Sequence, residues 1–134
     1  MLTLFVSGCS LAKHNRKDTV MIQSCYDGDT CTTSTGEKIR LACIDTPELK
    51  GPKADPRPAK AARDYLRSRV VGRKVQIIRV NEDRYGRTVG DLYFGKSDSI
   101  GADLVRSGHA VIYEKYASQC TWTSRKSYEL WLLA

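Results

Sequence analysis

Three β-prone stretches follow one another between residues 19 and 44 with only tight turns between them. Residues 19–26 (Thr-Val-Met-Ile-Gln-Ser-Cys-Tyr) are rich in β-branched and aromatic side chains, and Asp27-Gly28-Asp29-Thr30 is an Asp-Gly turn. The threonine-rich run 31–35 resumes an extended chain, and Gly36 turns it again. Glu37 to Ile44 then alternates, with Ile39, Leu41 and Cys43 on one face and Lys38, Arg40 and Ala42 on the other. Short consecutive strands of this kind are stable only when their apolar faces close on one another or on a helix.

Pro47 cannot donate to a ladder, so Asp45-Thr46-Pro47-Glu48 ends the third stretch. Beyond a loop over residues 49–57, Asp55 is a natural N-cap and Pro56 a natural first helical residue. The spacing predicts a helix to about Val71 that buries Ala59, Ala62, Leu66 and Val70, with Gly72 stopping it. A strand follows over Lys74 to Val80, with Val75 and Ile77 on a face that strict alternation extends to Arg79. Asn81 to Gly86 is a polar loop and Arg87 to Phe94 another strand. Ser99 caps a short helix through Ser107, closed by Gly108, and His109 to Tyr113 is a short extended piece. Residues 114–134, with Trp122, Tyr128 and Trp131, read as the start of a last helix. The order of three strands, helix, two strands, helix and tail favours a small antiparallel barrel over a βαβ sheet. A length of 134 residues suits one domain.

The formal net charge of +7 attracts polyanions. A composition of 41% hydrophobic and 28% charged residues is that of an ordinary globular domain. No apolar run approaches the roughly 20 residues of a membrane-spanning helix. The five cysteines contain no CxxC pair, and His14 and His109 lie far apart, which argues against structural zinc. An odd cysteine count fits two disulfides plus one residue with another fate, in an oxidising compartment. Met1 to Val6 is apolar, and Val6-Ser7-Gly8-Cys9 resembles a bacterial lipoprotein cleavage box with Cys9 as the lipidated residue. It lacks a basic leading region, and its apolar stretch is shorter than the roughly 7–15 residues of a signal core. The plain alternative is a frayed apolar terminus. The expected organisation is a signal-like segment and polar linker over residues 1–18 and a folded domain over 19–134. The expected location is outside the cytoplasm: secreted, periplasmic or lipid-anchored to a bacterial membrane.

Four carboxylates sit at turns or strand ends: Asp27, Asp29, Asp45 and Glu48. Singly, such residues solvate turns. Together, with no sulfur or imidazole among them, they suit a hard cation such as Ca²⁺ or Mg²⁺. Arg40 lies shortly before Asp45, and Arg87 follows Asp83-Arg84-Tyr85-Gly86. Planar guanidinium donors match a phosphate, although surface arginines on strands are common in any basic domain.

Asp27-Gly28-Asp29-Thr30, then Ile39-Arg40-Leu41-Ala42-Cys43-Ile44-Asp45-Thr46-Pro47-Glu48, then Asp83-Arg84-Tyr85-Gly86-Arg87 resemble the staphylococcal (thermonuclease-type) nuclease family. Each motif alone is moderately specific; the three in this order and at these intervals are very specific. The resemblance spans roughly residues 19 to 122. It implies an α+β, mainly β fold, a five-stranded antiparallel OB-fold barrel with two to three helices, and Ca²⁺-dependent hydrolysis of DNA and RNA. The sequence carries no oligomer signal, and a monomer is expected. By the same resemblance Asp29 and Asp45 look like carboxylate ligands of Ca²⁺, with Thr46 adding its backbone carbonyl. Asp27 is similar to a carboxylate behind the metal. Glu48 matches the general base for the attacking water, and Arg40 and Arg87 match the phosphate-binding arginines. Arg84 and Tyr85 match positions that meet the substrate's terminal phosphate. The base-stacking tyrosine has two matches, Tyr113 and Tyr116, of which Tyr113 is preferred. The competing reading is a catalytically inactive barrel that binds nucleic acid or protein; members with that role lack the acidic and arginine set, which is complete here.

Relative to the family the chain is about a helix short at its C-terminal end, with an unusually apolar close in residues 129–134. Strict alternation also puts Arg40 and Asp45 on opposite strand faces, so a bend near Ile44 has to re-aim one of them. Cys25 and Cys31 flank the Asp-Gly turn, and Cys43 and Cys120 remain for a second bridge, leaving Cys9 for lipid. The alternative is buried thiols. Bridged Cα atoms are expected roughly 4.4–6.8 Å apart.

Overall fold

A computed structural model describes residues 17–124. The elements are β1 (Lys17–Cys25), β2 (Thr30–Thr33), β3 (Lys38–Leu41), β4 (Ile44–Asp45), α1 (Pro56–Val70), β5 (Lys74–Glu82), β6 (Thr88–Phe94), β7 (Asp98–Ser99), α2 (Ile100–Arg106) and β8 (Val111–Ile112). Two 3₁₀ turns, Glu114–Gln119 and Thr121–Thr123, follow. The lipobox-like segment with Cys9, most of the linker and the end of the expected last helix lie outside the described residues.

β1 pairs antiparallel with β2 and β5, β2 with β3, and β5 with β6. β3 and β6 lie side by side and parallel, which closes a five-stranded barrel. The fold is thus the α+β, mainly β, OB-type barrel that the sequence suggests. Its closing seam alone is parallel, as it has to be when four antiparallel pairings link five strands and the first and last then run the same way. Closure pairs β3 and β6, which would otherwise be the edges of the five strands, with each other. The interior holds Ile22, Ile39, Leu41, Val75, Ile77 and Leu92, sealed by Leu66 and Val70 of α1 and by Ile100 and Leu104 of α2.

Helix α1 buries Ala59, Ala62, Leu66 and Val70, the stripe that helical periodicity selects. It opens on a proline, and Gly72 at φ +78° lets the chain leave it. Asp55 occupies the N-cap position, but its side chain makes no capping hydrogen bond. Its backbone N–H instead donates to the Glu48 carbonyl at 2.9 Å, tying the preceding loop to the helix start. Ser99 caps α2 as expected, its Oγ accepting from Ala102 N at 3.1 Å.

The stretch 37–44 departs from the single alternating strand that its pattern predicts. The β3 ladder ends at Leu41, Ala42 and Cys43 form a turn, and Ile44–Asp45 pair with β8 instead. Cys43 does not share a face with Ile39 and Leu41; Ala42, Cys43 and Ile44 are all buried in succession. Cys43 sits at φ +70°, a left-handed conformation that costs a side-chain-bearing residue roughly 1–3 kcal/mol. Three long-range ties hold it there. Ala42 N donates to Gly90 O at 2.8 Å, Tyr113 N donates to Cys43 O at 2.8 Å, and Cys43 is bonded to Cys120. This is the bend that the positions of Arg40 and Asp45 demand.

Both expected bridges form. The Cα atoms of Cys43 and Cys120 are 6.3 Å apart, inside the expected range. Those of Cys25 and Cys31 are 3.9 Å apart, closer than that range, because the two residues stand directly opposite on β1 and β2. The end of the described chain is also anchored by Trp122, whose Nε1 donates to the buried Asp91 at 3.2 Å.

Candidate active site

The Asp27–Thr30 turn is pressed into the molecule. A Cβ added at Gly28 would lie 2.8 Å from Ala62 Cβ and 3.1 Å from Thr46 Cβ, so only glycine lets the turn approach α1 and the 45–48 loop this closely. Asp27 Oδ1 accepts from Asp29 N at 3.0 Å and fixes the turn. Asp29 is consequently only 7% exposed. Its Oδ2 accepts from Thr46 Oγ1 at 3.0 Å and lies 3.3 Å from Arg40 Nη2, and its Oδ1 accepts from Thr30 Oγ1 at 3.2 Å. Burial pushes the Asp29 carboxyl up to about 6, against the pull of Arg40 and with the help of Asp27.

Arg40 leaves β3 just before the strand break and reaches across it. Nη1 donates to Leu41 O at 2.6 Å and Nη2 to Ile44 O at 2.9 Å, while Asp45 Oδ1 stands 3.8 Å from Nη2. The side chain therefore splints the bend and draws Asp29 and Asp45 to one point. Glu48, exposed, follows on the same loop.

Arg87 comes from the turn before β6. Nε donates to Asp83 Oδ2 at 2.7 Å and Nη1 to Thr30 Oγ1 at 3.4 Å, so the guanidinium spans from its own turn to the carboxylate turn. Asp83 also accepts from the backbone N–H groups of Tyr85 and Arg87, at 3.0 and 2.9 Å. Burial raises its carboxyl, but these hydrogen bonds outweigh that and hold it below its ordinary value. Tyr85, 68% exposed, lies under the Arg84 guanidinium at 4.9 Å and the Arg87 guanidinium at 5.5 Å. Tyr113 and Tyr116 stack with ring centroids 5.1 Å apart.

Arg40, Asp45, Glu48, Arg84, Tyr85, Arg87 and Tyr113 all line one cleft of about 720 Å³. Asp29 and Thr46 line a smaller groove of about 310 Å³, which shares Arg40, Asp45 and Glu48 with the first. Every site residue singled out in the sequence therefore borders one of two grooves that meet on a common floor. Tyr113 and Tyr116 both line the larger cleft, so the structure keeps both of the tyrosines that the sequence left open. Sequence reasoning missed Asp83, which aims Arg87, and Lys115 between the two tyrosines. For Asp83 a signal was available: a carboxylate four residues before the arginine, in a glycine-containing turn.

Among the described residues no group of three or more carboxylate, thiol or imidazole side chains forms a preassembled metal cage. The oxygen donors of Asp29, Asp45, Thr46 and Glu48 along the smaller groove nevertheless fit a hard divalent cation. The set offers oxygen only, and Asp29 is buried with a single guanidinium to offset it.

A closed OB-type barrel with a carboxylate–guanidinium floor between two grooves defines the class of molecule. Residues 38–130 match the family model described as staphylococcal nuclease homologue, and the chain belongs to that family. The match takes in the two arginines, Asp45, Thr46 and Glu48, while Asp29 precedes it. The chain is 34% identical over 93 residues to an uncharacterized endonuclease of Escherichia coli O157:H7, covering 67% of this chain and 58% of the relative. It is 35% identical over 100 residues to the staphylococcal-like nuclease CAN1 of Arabidopsis thaliana, covering 70% and 29%. An uncharacterized endonuclease of Haemophilus influenzae is 33% identical over 116 residues, covering 84% and 60%. The chain thus spans about three-fifths of the length of these bacterial relatives and less of the plant protein.

Proposed function

We propose that this chain is a Ca²⁺-dependent nuclease that hydrolyses phosphodiester bonds of DNA and RNA. The observation that carries the reading is the convergence of Arg40, Asp45 and Glu48 with Arg87 on one open cleft, in a chain of this family. Asp29, Asp45 and the Thr46 carbonyl would hold the cation, which supplies positive charge to a phosphate oxygen when bound. Glu48 orients a water and takes its proton on the carboxylate. Arg87, held by Asp83, and Arg40, held by the strand break, donate to the phosphoryl oxygens as their charge grows. Both guanidiniums are preorganised by contacts already made, so little reorganisation accompanies the reaction. Arg84 and Tyr85 hold a flanking phosphate, and Tyr113 stacks a base.

Two bridges in the described residues support an oxidising location, and export with a lipid on Cys9 belongs to the same proposal, as does a monomeric state. The test is hydrolysis of single- and double-stranded DNA and of RNA with a calcium chelator and after Ca²⁺ is restored. Activity is expected to vanish and return. Full activity in chelator, or binding of nucleic acid with no hydrolysis in Ca²⁺, overturns the reading.

A further inference from the structure

Asp29 and Thr46, assigned above to the cation, line the smaller groove; Tyr26 and Lys50, which line it too, have no part in the chemistry above. The outer wall of the groove is Tyr26, a residue 60% exposed that stands immediately before the carboxylate turn. The backbone there is rigid: Tyr26 N donates to Thr30 O at 2.8 Å, the neighbouring Cys25 is bonded to Cys31, and Arg67 Nε donates to the Cys25 carbonyl at 2.8 Å. A large aromatic ring is thus displayed to solvent on a pinned turn, beside a groove that opens on Arg40, Asp45 and Glu48. Lys50 stands on the same groove.

We infer that this groove is a second nucleotide subsite, in which a base stacks on Tyr26 and the next phosphate along the strand emerges at Lys50. The inference rests on the nuclease reading and extends it. A phosphate bound on the shared floor has chain leaving it in two directions. The larger cleft, with Arg84, Tyr85 and Tyr113, takes one direction, and the smaller groove is the other exit from the same floor. Lys50 is the cation of the groove other than Arg40 and is the natural contact for the phosphate that follows. Stacking on one face of a ring is indifferent to base identity, so the subsite adds affinity without sequence choice.

The test is steady-state kinetics of the full chain in Ca²⁺ on three probes. One is a single-stranded tetranucleotide; the other two are nucleotide p-nitrophenyl phosphodiesters extended only on the 5′ or only on the 3′ side of the scissile bond. Tyr26→Ala is expected to lower kcat/KM through KM by roughly 10-fold, the scale of one lost base stack, on the tetranucleotide and on one of the one-sided probes, relative to the other. Tyr26→Phe is expected to restore the wild-type ratio, because it keeps the ring. Lys50→Gln is expected to weaken the same side and to reduce its salt dependence. Equal kinetics of Tyr26→Ala and wild type on all probes would overturn the subsite, and so would an equal loss on both one-sided probes, which would mark a general effect on the site. If wild type cleaves none of the probes, the nuclease reading fails instead. The subsite is then judged by fluorescence anisotropy with oligonucleotides, where an unchanged Kd for Tyr26→Ala overturns it.

Discussion

Arg79 and Arg40 each stand between two carboxylates on the same barrel, and the two clusters behave in opposite ways. Arg79 makes a two-point contact with Glu37, at 2.9 and 2.7 Å, and reaches Asp18 at 2.5 Å. Glu37 also accepts from Thr88 Oγ1 at 2.7 Å. The Arg79 hydrogen bonds are the main reason the Glu37 carboxyl lies below its ordinary value, and Glu37 in turn raises Arg79. Arg40 instead gives its short hydrogen bonds to two backbone carbonyls and stands 3.3 and 3.8 Å from Asp29 and Asp45. Burial then dominates, and Asp29 rises to about 6. One cluster is closed on itself and joins β1, β5 and the turn before β3. The other is left short of positive charge at the point where two grooves meet. Similar residue types make a structural clamp in the first place and a ligand-seeking site in the second. The difference lies in how the guanidinium is occupied.

The sharpest way to break this contrast is at Glu48. Glu48→Gln is expected to lower kcat about 10²–10⁴-fold with little change in KM, the scale of lost general-base help. An unchanged kcat would remove Glu48 from the chemistry and leave the open cluster without its reactive member.

The open site also depends on the strand break. Replacing Cys43 and Cys120 by alanine together is expected to cost about 4 kcal/mol in denaturant unfolding, since that bridge closes a long loop; the Cys25–Cys31 bridge should contribute about half of that. Because Cys43 holds the bend that brings Arg40 to Asp45, the Cys43–Cys120 pair is also expected to matter for activity in the folded fraction. Equal and small stability losses for the two bridges would refute the ranking.

Arg87→Lys keeps the charge but loses the planar donor set and the Nε contact to Asp83. A fall in kcat/KM on the order of 10²-fold is expected, comparable to removing one preorganised donor. Wild-type kinetics in this variant would reduce Arg87 to a surface cation.

The smallest effect belongs to the closed cluster. Arg79 is partly exposed, so Arg79→Met is expected to lower stability by only about 1 kcal/mol and to leave kcat intact in the folded protein. The pH dependence has a defined sign. Glu37 has a folded value below its ordinary 4.5, so the unfolded chain takes up the proton first as pH falls. Its stabilisation is complete above the ordinary value and is lost as pH drops through the folded one. Glu37→Gln should therefore flatten the acid limb of the stability curve, measured by denaturant unfolding between about pH 5 and pH 3. An unchanged acid limb would show that the clamp contributes nothing.

Much of the barrel was legible in local patterns. The stripe Ala59, Ala62, Leu66 and Val70 follows from helical spacing, the Ser99 cap from its hydroxyl, and the Gly72 exit from its freedom at positive φ. Three short motifs carry the groove-lining residues Asp29, Arg40, Asp45, Thr46, Glu48, Arg84, Tyr85 and Arg87, whereas Tyr113 lies outside them, and the two bridges could be placed from the turn and the tail that their cysteines flank. Asp55 looked like a capping side chain and is not one, because its neighbourhood is set by Glu48.

The sequence by itself thus determined the order of elements, the apolar faces and the residue types at the turns, since each depends on neighbours a few positions away. Tertiary structure alone decided the parallel β3–β6 seam, the break at Ala42–Cys43 and the burial that raises Asp29. The partners that force the break are Gly90, Tyr113 and Cys120, all distant in the chain. Alternation over Glu37 to Ile44 carries no record of them, because periodicity reports which side a residue favours and not what stands opposite once the barrel has closed.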